Sequence, residues 1–365
     1  MVRNKAILLG FYQGLGDFVS AVPVMNQLLA QNNKLYVAAS KQNVRLAEAI
    51  RFKGSAIELL DYSLFSIGHP GALVPFVRQL VRLHPDLVYV SPHAQRHLSS
   101  WKVPILLAIV KRLFWGHATI VGAADERLSR LLDIVLPVDR NLDLLHREWS
   151  FHNLAGSFDL EEPPEYCRGI KWNINRPDQE EGADLVIHPG ASKAVRMWPV
   201  AHYREMVNLL GESVQIAVVG LESELEPLRA ELGRYSNVRF FVGSLVDVVA
   251  IMYAARAVIT MDSGFSHIAA SLGVNHLAIF GASSPDKHGP FAENSKLLFN
   301  PSLECQPCDQ YECRFEHALC MQTITPQTVV GHLERMLTPA IHQQPDHLSR
   351  SCMVGAGPAP PGNCI

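Results

Sequence analysis

The chain has 365 residues, of which 48% are hydrophobic and 18% charged, with a formal net charge of −3. That length exceeds the roughly 250–300 residues over which one core keeps growing, so two domains are expected, and the composition is that of a folded globular protein. The longest apolar stretch, residues 103–110, is broken by Pro104 and falls short of the roughly 20 residues that a bilayer span needs.

The charge is unevenly spread. Lys and Arg outnumber Asp and Glu 13 to 5 in residues 1–120, whereas acids lead 20 to 14 in residues 169–365. A basic front half suits an anionic partner such as a phosphorylated glycolipid or a membrane surface, and a plain solvated surface is the alternative. The basic residues are scattered and belong to no recognised nucleic-acid module, which argues against nucleic acid.

In chain order, residues 5–11 read as a buried parallel strand. Their apolar run is too short for a secretory leader, which suggests a cytoplasmic protein. Gln13-Gly14-Leu15-Gly16-Asp17 then turns into a helix over 17–30, with Pro23 as an early kink. As a dinucleotide fingerprint this turn fails, because Val19 stands where the third glycine belongs. What remains is Asp17, an acid at the carboxyl end of a strand, suited to act as a general base or simply to complement the helix dipole.

Residues 35–39, 86–90 and 118–122 read as further strands with helical patterns between them, which implies a parallel sheet covered on both faces. Residues 101–115, with Lys102, Lys111 and Arg112, read as a core helix, with a membrane-interface helix as the alternative. The breaker-rich, acidic stretch 161–182 marks the boundary between domains. The organisation expected is a first domain over 1–165, a linker over 166–182, a second domain over 183–325, a last helix over 326–338 capped by Thr325, and a disordered tail over 339–365.

The second domain restarts the alternation with a strand at 184–188. Its next loop, Pro189-Gly190-Ala191-Ser192-Lys193-Ala194-Val195-Arg196-Met197-Trp198-Pro199, offers close backbone approach, a hydroxyl and two cations for a diphosphate. Helix 200–210, strand 214–220, helix 224–232, strand 238–242 and helix 246–255 follow. Glu222 and Glu224 sit where an acid could bind ribose hydroxyls, or where it could complement the next helix.

Strands at 257–260 and 276–280 flank Asp262-Ser263-Gly264-Phe265-Ser266-His267. This turn collects a carboxylate, hydroxyls and exposed N–H groups at the positive end of a helix, with His267 one turn on. Helix capping by Asp262 or Ser263 is the plainer alternative. Cys305, Cys308, Cys313 and Cys320 lie within sixteen residues; in a reducing compartment they suggest a structural metal site or buried thiols.

Together these motifs resemble glycosyltransferase family 9, the ADP-heptose:lipopolysaccharide heptosyltransferases, over about residues 5–337. The pieces that match are Gly16-Asp17 with Ala21-Val22-Pro23, Pro189-Gly190-Ala191 with Arg196-Met197-Trp198-Pro199, the Asp262 to His267 run, Phe280-Gly281 and the cysteine-rich region. The resemblance implies a GT-B fold, an α/β architecture of two facing Rossmann-like domains, with the acceptor mainly on the first and ADP-heptose mainly on the second. It implies Asp17 as base, with Ser192, Lys193 and Arg196 at the phosphates, Glu222 at the ribose, and Asp262, Ser263, Gly264 and His267 at the donor. Arg196 stands where the family usually carries Lys.

The reaction implied is an inverting transfer that needs no cofactor and no essential metal, onto an anionic lipopolysaccharide-core acceptor, by a cytoplasmic enzyme, with peripheral contact with the inner membrane as a further expectation. An epimerase or hydrolase of related fold, another donor or glycan acceptor, a non-catalytic sugar-nucleotide-binding protein and a metal-stapled assembly protein are the competing readings.

Overall fold

The computed structural model describes residues 4–12, 14–54, 56–62, 70–90, 102–123, 132–137, 139, 141–154, 160–163, 166–174, 182–315 and 318–338. The tail expected over 339–365, Trp101 and residues 175–181 of the expected linker lie outside them.

The first half runs β1 (Ala6–Tyr12), α1 (Leu15–Ala30), β2 (Lys34–Ala39), α2 (Lys41–Glu48), β3 (Ile57–Asp61), α3 (Pro70–Arg82), β4 (Leu87–Val90), α4 (Lys102–Phe114), β5 (Thr119–Ala123), β6 (Ile134–Leu136), α5 (Leu144–Leu154) and α6 (Tyr166–Gly169). The second runs β7 (Leu185–His188), α7 (Val200–Leu210), β8 (Ile216–Val219), α8 (Glu222–Leu232), β9 (Val238–Phe241), α9 (Leu245–Ala254), β10 (Ala257–Met261), α10 (Gly264–Leu272), β11 (Asn275–Ile279), α11 (Pro285–His288), β12 (Ser295–Leu298), α12 (Leu319–Gln322) and α13 (Pro326–Leu337). A short 3₁₀ turn, Ala194–Arg196, precedes α7.

Each half is a six-stranded parallel sheet, ordered β3-β2-β1-β4-β5-β6 and β12-β11-β10-β7-β8-β9. The chain reverses direction between β1 and β4 in one sheet and between β7 and β10 in the other. Ligands of such sheets bind outside the carboxyl ends of the strands at these reversals. The chain leaving β1, β7 and β10 leads directly to Asp17, in the first turn of α1, and to Arg196 and Asp262.

Helix α1 shows why the two halves hold together. Phe18, Val19, Val22, Met25, Leu28 and Leu29 are buried, as is Pro23, and α1 runs as one helix through that proline. A helix apolar on nearly all sides must be covered on all sides. One face of α1 lies on its own sheet and another packs against α10, so that Ile268 and Ala269 of α10 join the same apolar cluster as Met25 and Leu28. The segment around α6 belongs with the first half: Trp172 bridges to Ile50, and the Arg51 N–H donates to the Lys171 carbonyl at 2.7 Å. On the opposite face of the first sheet, α3 and α4 pack through Phe76, Leu80, Leu107 and Val110. No helix among the described residues is long and apolar enough to cross a membrane.

Candidate active site

The N-termini of α1 and α10 meet almost backbone to backbone. A Cβ on Gly264 would fall 2.5 Å from the Leu15 Cβ and 2.9 Å from the Gly16 nitrogen. A Cβ on Gly16 would fall 2.9 Å from Cδ2 of His267. Gly16-Asp17 and Gly264 to His267, remote in sequence, are therefore one site shared by the two halves.

Asp17, in the first turn of α1, is partly exposed, and its carboxylate curls over Gly14, where a Cβ would lie 2.8 Å from Oδ2. The Gly14 carbonyl is held in turn by the Asn43 amide at 3.2 Å. The Asp17 charge is felt by two phenols that the sequence did not single out. Tyr62, just beyond β3, has its pKa pushed up to about 12 by burial and then by Asp17 and Asp61. Tyr166 is raised well above the usual value, again chiefly by burial, with Asp143 and Asp17 adding.

Across the cleft, the Arg196 Nε lies 3.1 Å from the Asp262 Oδ2, with side chains 14% and 7% exposed. The two atoms are close but off the hydrogen-bond axis, so each keeps unsatisfied hydrogen-bonding capacity in a buried place. Burial raises the Asp262 pKa, while the Arg196 and Lys193 charges and the nearby Ser283 hydroxyl oppose the rise and Asp309 adds to it. The end of β10 thus holds a buried, imperfectly paired charge pair, an arrangement enriched at functional sites.

The capping alternative for Ser263 does not hold: it is the N-cap residue of α10, but its side chain makes no cap hydrogen bond and its buried Oγ has no partner. The Oγ of the fully buried Ser266 is likewise unpartnered. Gly264 opens the helix against α1, and His267 is 3% exposed. His188, at the end of β7, stacks on Phe265 with centroids 3.8 Å apart, and burial lowers its pKa to about 4, so it is a neutral spacer between the two loops.

Ser192 lies exposed on the β7 loop. Lys193 turns toward the cysteine-rich segment, with Nζ 3.8 Å above the Tyr311 ring and 3.3 Å from the Asp309 carbonyl. Of the two acids after β8, Glu222 faces outward, 3.4 Å from Arg229. Glu224 faces inward: Cβ atoms on Gly190 and Gly220 would fall 2.1 and 2.9 Å from its carboxylate oxygens, and it accepts the Leu221 N–H at 2.8 Å. The acid beside the Pro189-Gly190 loop is Glu224, because helical spacing turns position 224, and not 222, toward the strand ends.

Cys305, Cys308, Cys313 and Cys320 do converge, lining one small cavity together with Val195, Ala282, Ala318 and Leu319. Of the two readings of these cysteines, the structural metal is not supported: no group of three or more His, Cys, Asp or Glu among the described residues is arranged to hold a metal ion. The four are free cysteines, and the Cys320 thiol is pushed up by burial and then by the neighbouring Cys308, Cys313 and Cys305. The segment props the loop after β11: the Cys308 and Asp309 N–H groups donate to the Ala282 carbonyl, and the Gln306 amide to that of Gly281.

Two facing doubly wound α/β domains with their functional loops at the topological reversals define the GT-B class of fold. The comparisons agree. Residues 93–319 match glycosyltransferase family 9 (heptosyltransferase). Lipopolysaccharide heptosyltransferase 1 of Pseudomonas aeruginosa is 27% identical over 178 residues, which cover 44% of this chain and 50% of that one. Lipopolysaccharide heptosyltransferase 2 of Escherichia coli K12 is 29% identical over 273 residues, 69% of this chain and 75% of that one. The chain thus spans about half the length of the first of these relatives. The structure of E. coli heptosyltransferase WaaC with ADP superposes with a TM-score of 0.69 at 19% identity, covering 91% of this chain and 99% of that one. The chain belongs to glycosyltransferase family 9.

Proposed function

We propose that the protein transfers heptose from ADP-heptose to an acceptor sugar of the lipopolysaccharide core, with inversion at the anomeric carbon. The observation that carries this reading is the meeting of Gly16-Asp17 with Gly264 and His267 across the cleft, within a family of heptosyltransferases. Asp17 accepts the proton of the acceptor hydroxyl as its oxygen bonds to the anomeric carbon and the bond from that carbon to the diphosphate oxygen breaks. A general base of this kind contributes roughly 10²- to 10⁴-fold in rate.

Arg196, Lys193, Ser192 and the N–H groups opening α10 receive the charge of the departing ADP, so that the chain's own cations stabilise the leaving group. Glu224 takes the ribose role that the resemblance suggested for Glu222. Asp262, Ser263 and His267 orient the donor. The exposed Ile109, Leu113 and Phe114 of α4, beside Arg112, suit a peripheral contact with an anionic membrane that would carry a lipid-linked acceptor.

The test is to incubate the purified protein and its Asp17→Asn variant with ADP-heptose and truncated core acceptors, following ADP release and acceptor mass, with and without EDTA. A gain of one heptose, retained in EDTA and reduced at least a hundredfold in the variant, is the expected result. Donor hydrolysis or epimerisation without acceptor gain, or no donor binding, overturns the reading. Sedimentation with vesicles containing anionic lipid, lost in Leu113→Glu, tests the membrane contact.

A further inference from the structure

Tyr166 belongs to none of the motifs, yet it is fully buried on α6, in the segment between the two sheets. Its phenol oxygen lies 3.2 Å from Nδ1 of His267, the rings 5.6 Å apart and tilted by 53°. The other edge of the same imidazole faces the first domain: a Cβ on Gly16 would lie 2.9 Å from Cδ2 and 3.3 Å from Nε2. His267 is held between a phenol on its Nδ1 side and the backbone next to Asp17 on its Nε2 side.

The chemistry of the phenol sets the proton on the ring. Burial raises the Tyr166 pKa and the Asp143 and Asp17 carboxylates raise it further, so the phenol keeps its proton throughout the ordinary pH range. A buried O–H needs an acceptor, and His267 Nδ1 is within reach. A neutral imidazole that accepts at Nδ1 carries its proton on Nε2. The platform is tied at two further points: the Tyr166 N–H donates to the Phe291 carbonyl of the second domain at 3.2 Å, and the Gly169 carbonyl, one turn on, accepts the Asn26 amide of α1 at 3.0 Å.

We propose that Tyr166 is a positioning residue that locks His267 in the tautomer with the proton on Nε2, so that the second domain presents a neutral N–H donor into the cleft beside Asp17. The donor's target is an oxygen of the bound nucleotide sugar, and this part rests on the reading of His267 as a donor-site residue. Because α6 bonds to both domains, the lock is set by their mutual placement.

The tautomer is measurable without turnover. The full chain is labelled with [ring-¹⁵N]histidine and long-range ¹H–¹⁵N correlations are recorded for wild type and Tyr166→Phe, with His267→Gln to assign the resonances. The expected result is a protonated Nε2 and a bare Nδ1 at His267 in the wild type, with the two forms mixed in Tyr166→Phe. The same variant should lower kcat about tenfold with little change in donor KM. A proton on Nδ1 in the wild type overturns the proposal even if Tyr166→Phe does not fold, and so does an unchanged tautomer in a folded Tyr166→Phe. A shifted tautomer in a protein that transfers no heptose sustains the proposal and instead counts against the transferase reading.

Discussion

Gly264 and Gly16 lie in the first turns of two helices in different domains, and the nitrogen of Gly16 lies 2.9 Å from where a Gly264 Cβ would stand. Two positive helix ends are thus aimed into one small volume, which favours negative charge there. Neither contact partner is the end of a flexible side chain, so Gly264→Ala has to push the domains apart. We expect a loss of about 1–3 kcal/mol in urea unfolding together with loss of transfer. Unchanged stability and activity in this variant would show that the domains do not meet as described.

The Arg196–Asp262 pair gives a prediction that separates stability from binding. Arg196→Met strands a buried carboxylate and should cost about 3 kcal/mol. Combining it with Asp262→Asn removes the stranded charge and should restore most of that loss, while ADP binding by calorimetry stays absent. If the double variant binds ADP normally, the pair is structural only.

Glu222 and Glu224 differ in direction. Glu224→Gln keeps a side chain able to cap the Leu221 N–H but removes the charge facing Gly190, and donor KM should rise about tenfold. Glu222→Gln, which breaks only an exposed pair with Arg229, should leave KM unchanged. The opposite ranking would reassign the ribose contact.

A further contact links the domains through pH. His146 bonds Asp143 at 2.6 Å and packs on Phe291 of the second domain with centroids 4.6 Å apart. Its pKa is raised from 6.5, first by the Asp143 hydrogen bond, with burial opposing and Glu162 adding. The stabilisation is therefore fully present below about 6.5 and is lost as pH rises through the higher folded value. Burial pushes the Asp143 pKa up, but the bonds from His146 and Leu145 bring it net below 3.8, so its share persists until pH falls through that depressed value. The Tm difference between wild type and His146→Gln should be larger at pH 6 than at pH 9; equal differences would remove His146 from the account.

Much of the fold was legible because local patterns are enough for it. Helix 200–210 has the bounds read from its apolar spacing, and Thr325 caps α13 through the Thr328 N–H, as the Thr-Pro start suggested. The small elements α6, α11 and α12 carry no periodicity of their own. They form because other parts of the chain hold them, which is why Tyr166 could not be singled out from spacing.

The cysteine segment shows the limit in the other direction. Spacing placed four thiols together, and they do share a cavity, but metal ligation needs a directed arrangement of thiolates that spacing does not specify.

The sequence by itself determined the alternation of strands and helices, hence two parallel sheets, and the residue types on the loops leaving β1, β7 and β10, because hydrophobic periodicity and turn chemistry are local properties. Only the tertiary structure decided that Gly16 rests on Gly264, that Arg196 is spent partly on Asp262, that Glu224 and not Glu222 faces the Gly190 loop, and that Tyr166 lies against His267. Each of these depends on the relative placement of segments remote in the chain, which is set by the packing of α1 between two sheets and not by any stretch of residues alone.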